Sequence, residues 1–212
     1  ATLAAKLRAI GMPIADDHLI TTPVATAAYV ARPFPGEPCY LLVKGDAAVD
    51  FRAAGVNVVG PDGEPDAGVV VIGGAEDELT YARLDHAYRL LLGGAKLVTM
   101  HRNIAWKTAK GMQLDSGPFV RALEIAAGVR ATLIGKPALP YFRQAIRDLA
   151  LPASSLAMIG DDAKNDLTPA HRLGMKTILV RTGKPVGADE EALADVTVDS
   201  VAGLLRLIAG LQ

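Results

Sequence analysis

From Pro38 onward, short apolar runs alternate with stretches of helical periodicity, and no other feature of the sequence narrows the fold as much. Alternation of this kind is the signature of βαβ units and mainly parallel sheets, so the expected class is α/β. A first group of candidate strands comprises CYLLV at 39–43, NVV at 57–59, GVVVIGG at 68–74 and KLVTM at 96–100. The helix between the last two is marked by Tyr81, Leu84, Tyr88 and Leu91 on one face and is closed by Gly93 and Gly94. The stretch 60–68, GPDGEPDAG, reads as turns rather than as an interdomain linker.

A second group follows. It opens with a helix from Ser116 to about Ala127, Ser116 being the expected N-cap and Pro118 lying in the first turn. Next come a strand TLIG at 132–135 and a helix with Leu139, Phe142, Ile146 and Leu149 on one stripe. Strand SLAMIG, a helix to Leu173, strand KTILV and a last helix over 200–212 complete the order. At the other end, Leu3, Leu7 and Ile10 recur at helical spacing with Lys6 and Arg8 between them, so 1–13 reads as an amphipathic helix ended by Gly11 and Pro13, not as a signal peptide.

Half of the 212 residues are apolar, enough for a substantial core, and the formal net charge is -1. Such a balance gives no broad attraction to nucleic acid or to an anionic membrane surface, and no apolar run approaches a membrane span. A small, locally recognised substrate fits better. Cys39 is the only cysteine, which excludes an internal disulfide and a thiolate metal cluster and makes the reducing cytoplasm the expected compartment.

The chemistry concentrates in two segments, each just after a short apolar strand: Gly135-Lys136-Pro137 and Gly160-Asp161-Asp162-Ala163-Lys164-Asn165-Asp166. In open parallel sheets the ligand crevice lies beyond the carboxyl ends of the strands, so both segments are expected to face one space. Three carboxylates within seven residues repel one another unless a cation is present. Mg²⁺ is the expected cation, because it takes hard oxygen ligands, one or two of them protein carboxylates and the rest water and phosphate. Asp161 and Asp162 are the candidate metal ligands, with Asp162 alternatively a helix cap, and Asp166 is the supporting catalytic carboxylate, with an ordinary salt bridge as its competing explanation. Lys136 is the candidate catalytic and phosphate-binding cation.

GKP, a helix, and an apolar strand running into GDDxxxD resemble motifs III and IV of the haloacid dehalogenase superfamily. The stretch 111–142 is similar to the subgroup with a large α/β cap, subfamily IIA, which includes the p-nitrophenyl phosphatase-like and the phospholysine phosphohistidine inorganic pyrophosphate phosphatases. The resemblance implies a Rossmann-like parallel-sheet core formed by residues 1–21 and 116–212, with an inserted α/β cap over 22–115. It implies a magnesium-dependent phosphatase acting on a small phosphorylated substrate through an aspartyl-phosphate, and a homodimer joined through the cap. It also implies an Asp nucleophile and an Asp general acid in a DxDGT-like motif. The sequence has no DxD anywhere and begins with Ala, so that motif is expected upstream of Ala1. The rival reading is a non-catalytic phosphate or metal-binding module. Carbon-halogen cleavage needs no divalent metal and so does not use the acidic cluster, and a receiver-like signalling domain does not accommodate the large inserted segment.

In the expected cap, His101, Arg102 and Asn103 follow KLVTM, and His101 and Asn103 are candidate substrate-binding residues, with a polar loop as the plain alternative. Thr21 and Thr22 mark either the hinge into the cap or a simple turn before Pro23. His18, His86 and His171 read as surface or packing residues, Trp106 as packing against the stem of Lys107, and Cys39 as buried.

Overall fold

The computed structural model describes residues 3–60, 66–108, 111–182 and 186–204, apart from the Lys107 side chain. The expected stacking of Trp106 on Lys107, the 61–65 part of the turn segment and the last helix beyond residue 204 therefore lie outside the described residues. The chain divides into two compact units, residues 1–135 and 136–212.

The first unit is built on strands β1 (Pro38–Leu42), β2 (Asn57–Val59), β3 (Val69–Ile72), β4 (Lys96–Thr99) and β7 (Thr132–Leu133), all parallel, in the order β2-β1-β3-β4-β7. Every residue of β3 is buried, and so is all of β1 after Pro38, which is why these strands read as unbroken apolar runs rather than alternating ones. Helices α3 (Ala47–Ala53), α4 (Tyr81–Leu92) and α5 (Gly117–Ala127) supply the crossovers. Tyr40, Leu42, Val70, Ile72, Leu91 and Val120 are among the core residues they enclose.

Two further helices precede β1, α1 (Leu3–Ala9) and α2 (Thr22–Val30). Thr21 is the N-cap of α2, its hydroxyl accepting the Val24 N–H at 3.4 Å, so the threonine pair starts a helix. Helix α4 has the expected bounds but not the expected face. Leu84 and Tyr88 pack against the core and Leu91 is buried, whereas Tyr81 is 84% exposed, because it sits in the first turn where the helix has not yet met the sheet. Between β4 and α5 the chain forms an antiparallel ribbon, β5 (Ala105–Thr108) and β6 (Gly111–Leu114), that the sequence did not announce.

Strand β7 is where the expected division fails to match the observed one. Sequence reading grouped 116–135 with the second set of strands. In the structure β7 pairs with β4, Val98 opposite Thr132 and Thr99 opposite Leu133. The pairing continues as the Ile134 and Gly135 N–H groups donate to the carbonyls of Thr99 and Met100, both at 3.0 Å. The open edge of β4 must be satisfied, and α5, packed on α4, delivers the next strand to it.

The second unit has a three-stranded parallel sheet, β10-β9-β8, from β8 (Ala157–Gly160), β9 (Lys176–Val180) and β10 (Val196–Val198). Helices α6 (Leu139–Leu149) and α7 (Thr168–Arg172) pack on it around Phe142, Leu156, Ala170 and Met175, and a short helix α8 (Ala188–Glu191) precedes β10. Of the expected stripe on α6, Phe142 is buried and Ile146 packs against the core, while Leu149 at the last turn is exposed. Among the described residues no helix is long and apolar enough to cross a membrane.

Candidate functional site

Strand β8 ends at Gly160, and the chain turns through Asp161 and Asp162 into a π-helical turn, Ala163–Leu167, that leads into α7. Wide turns of this kind recur at functional sites because they displace side chains from ordinary helical register. Asp162 caps the turn: its Oδ1 accepts the Asn165 N–H at 3.0 Å and its Oδ2 the Asn165 Nδ2 at 2.8 Å. The Asp162 carbonyl accepts from Asp166 N at 2.8 Å and from Leu167 N at 3.4 Å, the second bond being the one that widens the turn.

The widened turn folds the Asp166 carboxylate back over the end of β8. An alanine Cβ at Gly160 would lie 2.6 Å from Asp166 Oδ2, so the absence of a side chain there is what admits the carboxylate. Asp166 is 8% exposed and its Oδ1 lies 2.7 Å from Lys136 Nζ. That ion pair compensates a carboxylate which burial alone would penalise heavily. Lys136 itself is 41% exposed, so its ammonium keeps a face toward solvent. Tyr141, in the first turn of α6, sits close enough to feel both charges. Burial lifts its phenol above the ordinary range, Lys136 opposes the rise and Asp166 adds to it.

Asp161 is half-buried at the strand end. Among the described residues no three His, Cys, Asp or Glu side chains converge as a ready metal cage. The oxygen donors at the turn are still those that a hard cation accepts, and Mg²⁺ needs only one or two of them when water and phosphate complete its shell. Lys164 is bound to Glu190 at 2.6 Å, which ties α8 to the π-helical turn and draws the Glu190 carboxyl below its usual range.

The expected substrate-binding residues of the first unit are partly engaged there. His101 Nδ1 is 3.7 Å from Asp115 Oδ2, and the His101 carbonyl accepts the Thr99 hydroxyl at 2.8 Å. Asp115 Oδ1 accepts the Ser116 N–H at 2.7 Å. Ser116 does not cap α5 with its side chain as expected; its hydroxyl donates to the Gly73 carbonyl at 2.8 Å and so stitches the start of α5 to the end of β3. Asn103 is exposed, and its carbonyl accepts the Gly117 N–H at 2.9 Å. Arg102, which sequence reasoning grouped with them, has a structural partner: it makes a two-pronged pair with Glu124 of α5 at 2.6 and 3.0 Å. Glu124 was missed, although an acid among Gly117, Val120 and Leu123 on the buried face of an amphipathic helix was a signal available in the sequence.

Comparison with known proteins agrees with this geometry. Residues 133–204 match the model of the HAD-hydrolase-like family. The chain is 36% identical over 195 residues to haloacid dehalogenase-like hydrolase domain-containing protein 2 of Bos taurus, covering 90% of this chain and 70% of that protein. It is 33% identical to the phospholysine phosphohistidine inorganic pyrophosphate phosphatase of Danio rerio, covering 96% and 73%. Among solved structures, the 4-nitrophenylphosphatase of Thermotoga maritima superposes with a TM-score of 0.83 at 28% identity, over 96% of this chain and 77% of that one. With GKP and GDDxxxD standing at strand ends of a parallel α/β fold, and with relatives this close over most of its length, the chain belongs to the haloacid dehalogenase superfamily of hydrolases, in its subfamily IIA.

Proposed function

We propose that the protein is a magnesium-dependent phosphatase of small phosphorylated molecules, working through an aspartyl-phosphate intermediate. The observation that carries the reading is the Lys136–Asp166 pair, 2.7 Å apart at the end of β8 and within one compact unit with Asp161. Lys136 offers its ammonium to a phosphoryl oxygen while Asp166 holds the amine in place. Asp161 is assigned as the direct metal ligand and Asp162 as a carboxylate that shapes the turn and assists coordination. When bound there, Mg²⁺ supplies electrostatic relief for a nucleophile approaching a charged phosphoryl group.

The attacking carboxylate is assigned to no residue of this sequence, which has no Asp-x-Asp. In family terms the unit bearing Lys136 and Asp161 is assigned to the core, and residues 22–115 of the five-stranded unit to the cap. His101 and Asn103 keep their proposed part as substrate contacts, to be read in KM rather than in kcat. A cytoplasmic setting and a homodimer go with this reading.

The test is Asp161→Asn, assayed on p-nitrophenyl phosphate with Mg²⁺ and with EDTA in its place. Loss of at least about 100-fold in turnover, with the fold retained, is the expected outcome. Hydrolysis equal to the parent's overturns the ligand assignment, and orthophosphate binding without any hydrolysis by the parent favours the non-catalytic binding module.

A further inference from the structure

We infer that Lys164 and Glu190 set the affinity of the acidic turn for its cation, Glu190 offsetting an ammonium that would otherwise oppose Mg²⁺, an inference that rests on the metal-binding role just proposed. Every group involved lies in the unit of residues 136–212. The turn Ala163–Leu167 follows Asp161 and Asp162 directly and carries Lys164 two residues beyond Asp162. A lysine so placed competes with a metal ion for the same carboxylates, and the fold does not need it there, since its side chain is 75% exposed. Its ammonium is held instead by Glu190 of α8, at 2.6 Å. The three charges sense one another. Lys164 is raised above its ordinary range first by its hydrogen bond to Glu190 and in smaller part by Asp162. The Glu190 carboxyl is drawn down first by Lys164, and Asp162 opposes that fall.

Helix α8 does not depend on this pair to keep its place. Arg181 Nε donates to Glu191 Oε1 at 2.6 Å and Arg181 Nη1 to Asp199 Oδ1 at 2.9 Å. The Glu190 and Glu191 N–H groups both donate to the Gly187 carbonyl at 3.0 Å. An exposed ion pair adds little stability in any case. Its action on a divalent ion is another matter, because Mg²⁺ carries two charges and each neighbouring unit charge acts on it twice as strongly as on a monovalent group. Lys164 and Glu190 also line an open hollow of about 620 Å³ together with Gly187, Asp189 and Leu193, so the lysine stem has room to turn. With Glu190 neutralised, the carboxylate left for the ammonium to sense is Asp162, one of the assigned ligands.

The test is calorimetric titration of the whole chain with MgCl2 alone at low ionic strength, on the parent, Glu190→Gln, Lys164→Met and the double variant. Glu190→Gln is expected to weaken Mg²⁺ binding about fivefold, and Lys164→Met to tighten it about fivefold. The double variant removes one charge of each sign and is expected to return to within about twofold of the parent. Both shifts should shrink in about 1 M NaCl, where the Debye length is about 3 Å. A pair that only ties α8 to the turn moves both single variants in the same direction. That result, or parental affinity in either single variant, overturns the inference while leaving the proposed function intact. A parent that takes up no Mg²⁺ overturns the metal assignment and this inference together. Lys164→Met changes only an exposed side chain, so its shift decides the matter if Glu190→Gln does not fold.

Discussion

Gly160→Ala probes the site without touching any charged group. The backbone of Gly160 lies in the last position of β8, so alanine meets no conformational penalty there; the cost is steric. Its Cβ would stand 2.6 Å from Asp166 Oδ2, 2.9 Å from Asp166 Cβ and 3.1 Å from Asp166 Cγ. To reach an ordinary contact of 3.4 Å the carboxylate oxygen must retreat by about 0.8 Å. Asp166 is fixed from behind by its N–H to the Asp162 carbonyl, so the retreat strains the π-helical turn or opens the 2.7 Å approach to Lys136. Stretching that pair by the same distance loses about 1 kcal/mol of attraction at an effective dielectric near 20, less because the lysine is partly solvated. Overpacking adds about 1–3 kcal/mol. The expected result is a stability loss of about 2–3 kcal/mol in urea unfolding, with kcat/KM for p-nitrophenyl phosphate down about ten- to a hundredfold. A variant that melts and turns over like the parent refutes the claim that this glycine exists to admit the Asp166 carboxylate.

Glu124 predicts an acid-limb signature. Its folded value of about 2 lies below the ordinary 4.5, so its stabilisation, about 3 kcal/mol, is fully present above pH 4.5 and disappears as pH falls toward 2. The unfolding free energies of wild type and Glu124→Gln are accordingly expected to differ at pH 7 and to converge near pH 2, and a difference independent of pH contradicts the assignment. Cys39 is buried in β1 and burial pushes its thiol up to about 12, so at pH 8 only about one molecule in ten thousand carries the thiolate. Native protein should resist a thiol reagent that labels it at once in urea, and rapid native labelling would place Cys39 elsewhere.

What the sequence disclosed and what it withheld divide along a physical line. Strands at 57–59 and 176–180 have the bounds that their apolar runs gave, because short runs rich in β-branched residues carry a strand signal in their own residues. Lys136 and Asp166 were nominated from separate motifs and stand in contact, although the strands they follow, β7 and β8, belong to different sheets and not to one as expected. The partner of β7 was not legible, because pairing depends on which edge is open after the other strands have assembled. The ribbon of β5 and β6 escaped notice for a different reason: Ile104, Met112 and Leu114 are largely exposed, so the usual apolar-in, polar-out alternation is missing. The π-helical turn required a bond between Leu167 and Asp162 that no local propensity specifies.

The Lys136–Asp166 pair also shows how a site can be both stable and available. Asp166 is 8% exposed and lies 2.7 Å from Lys136, so the pairing offsets part of the cost of taking the carboxylate out of water. The two groups stand 2.7 Å apart as an ion pair, yet the buried Asp166 Oδ1 makes no hydrogen bond of proper geometry. Lys136 is 41% exposed, and in the function proposed above its open face is where a phosphoryl oxygen would be met. On that proposal, phosphate would replace solvent at Lys136 and the ion pair with Asp166 would not have to break. An arginine at this position would present a rigid fork that satisfies Asp166 with two donors and turns the rest into a fixed plane. A compact ammonium can instead pair with the buried acid and keep an open side, which suits the phosphate-binding role proposed for Lys136.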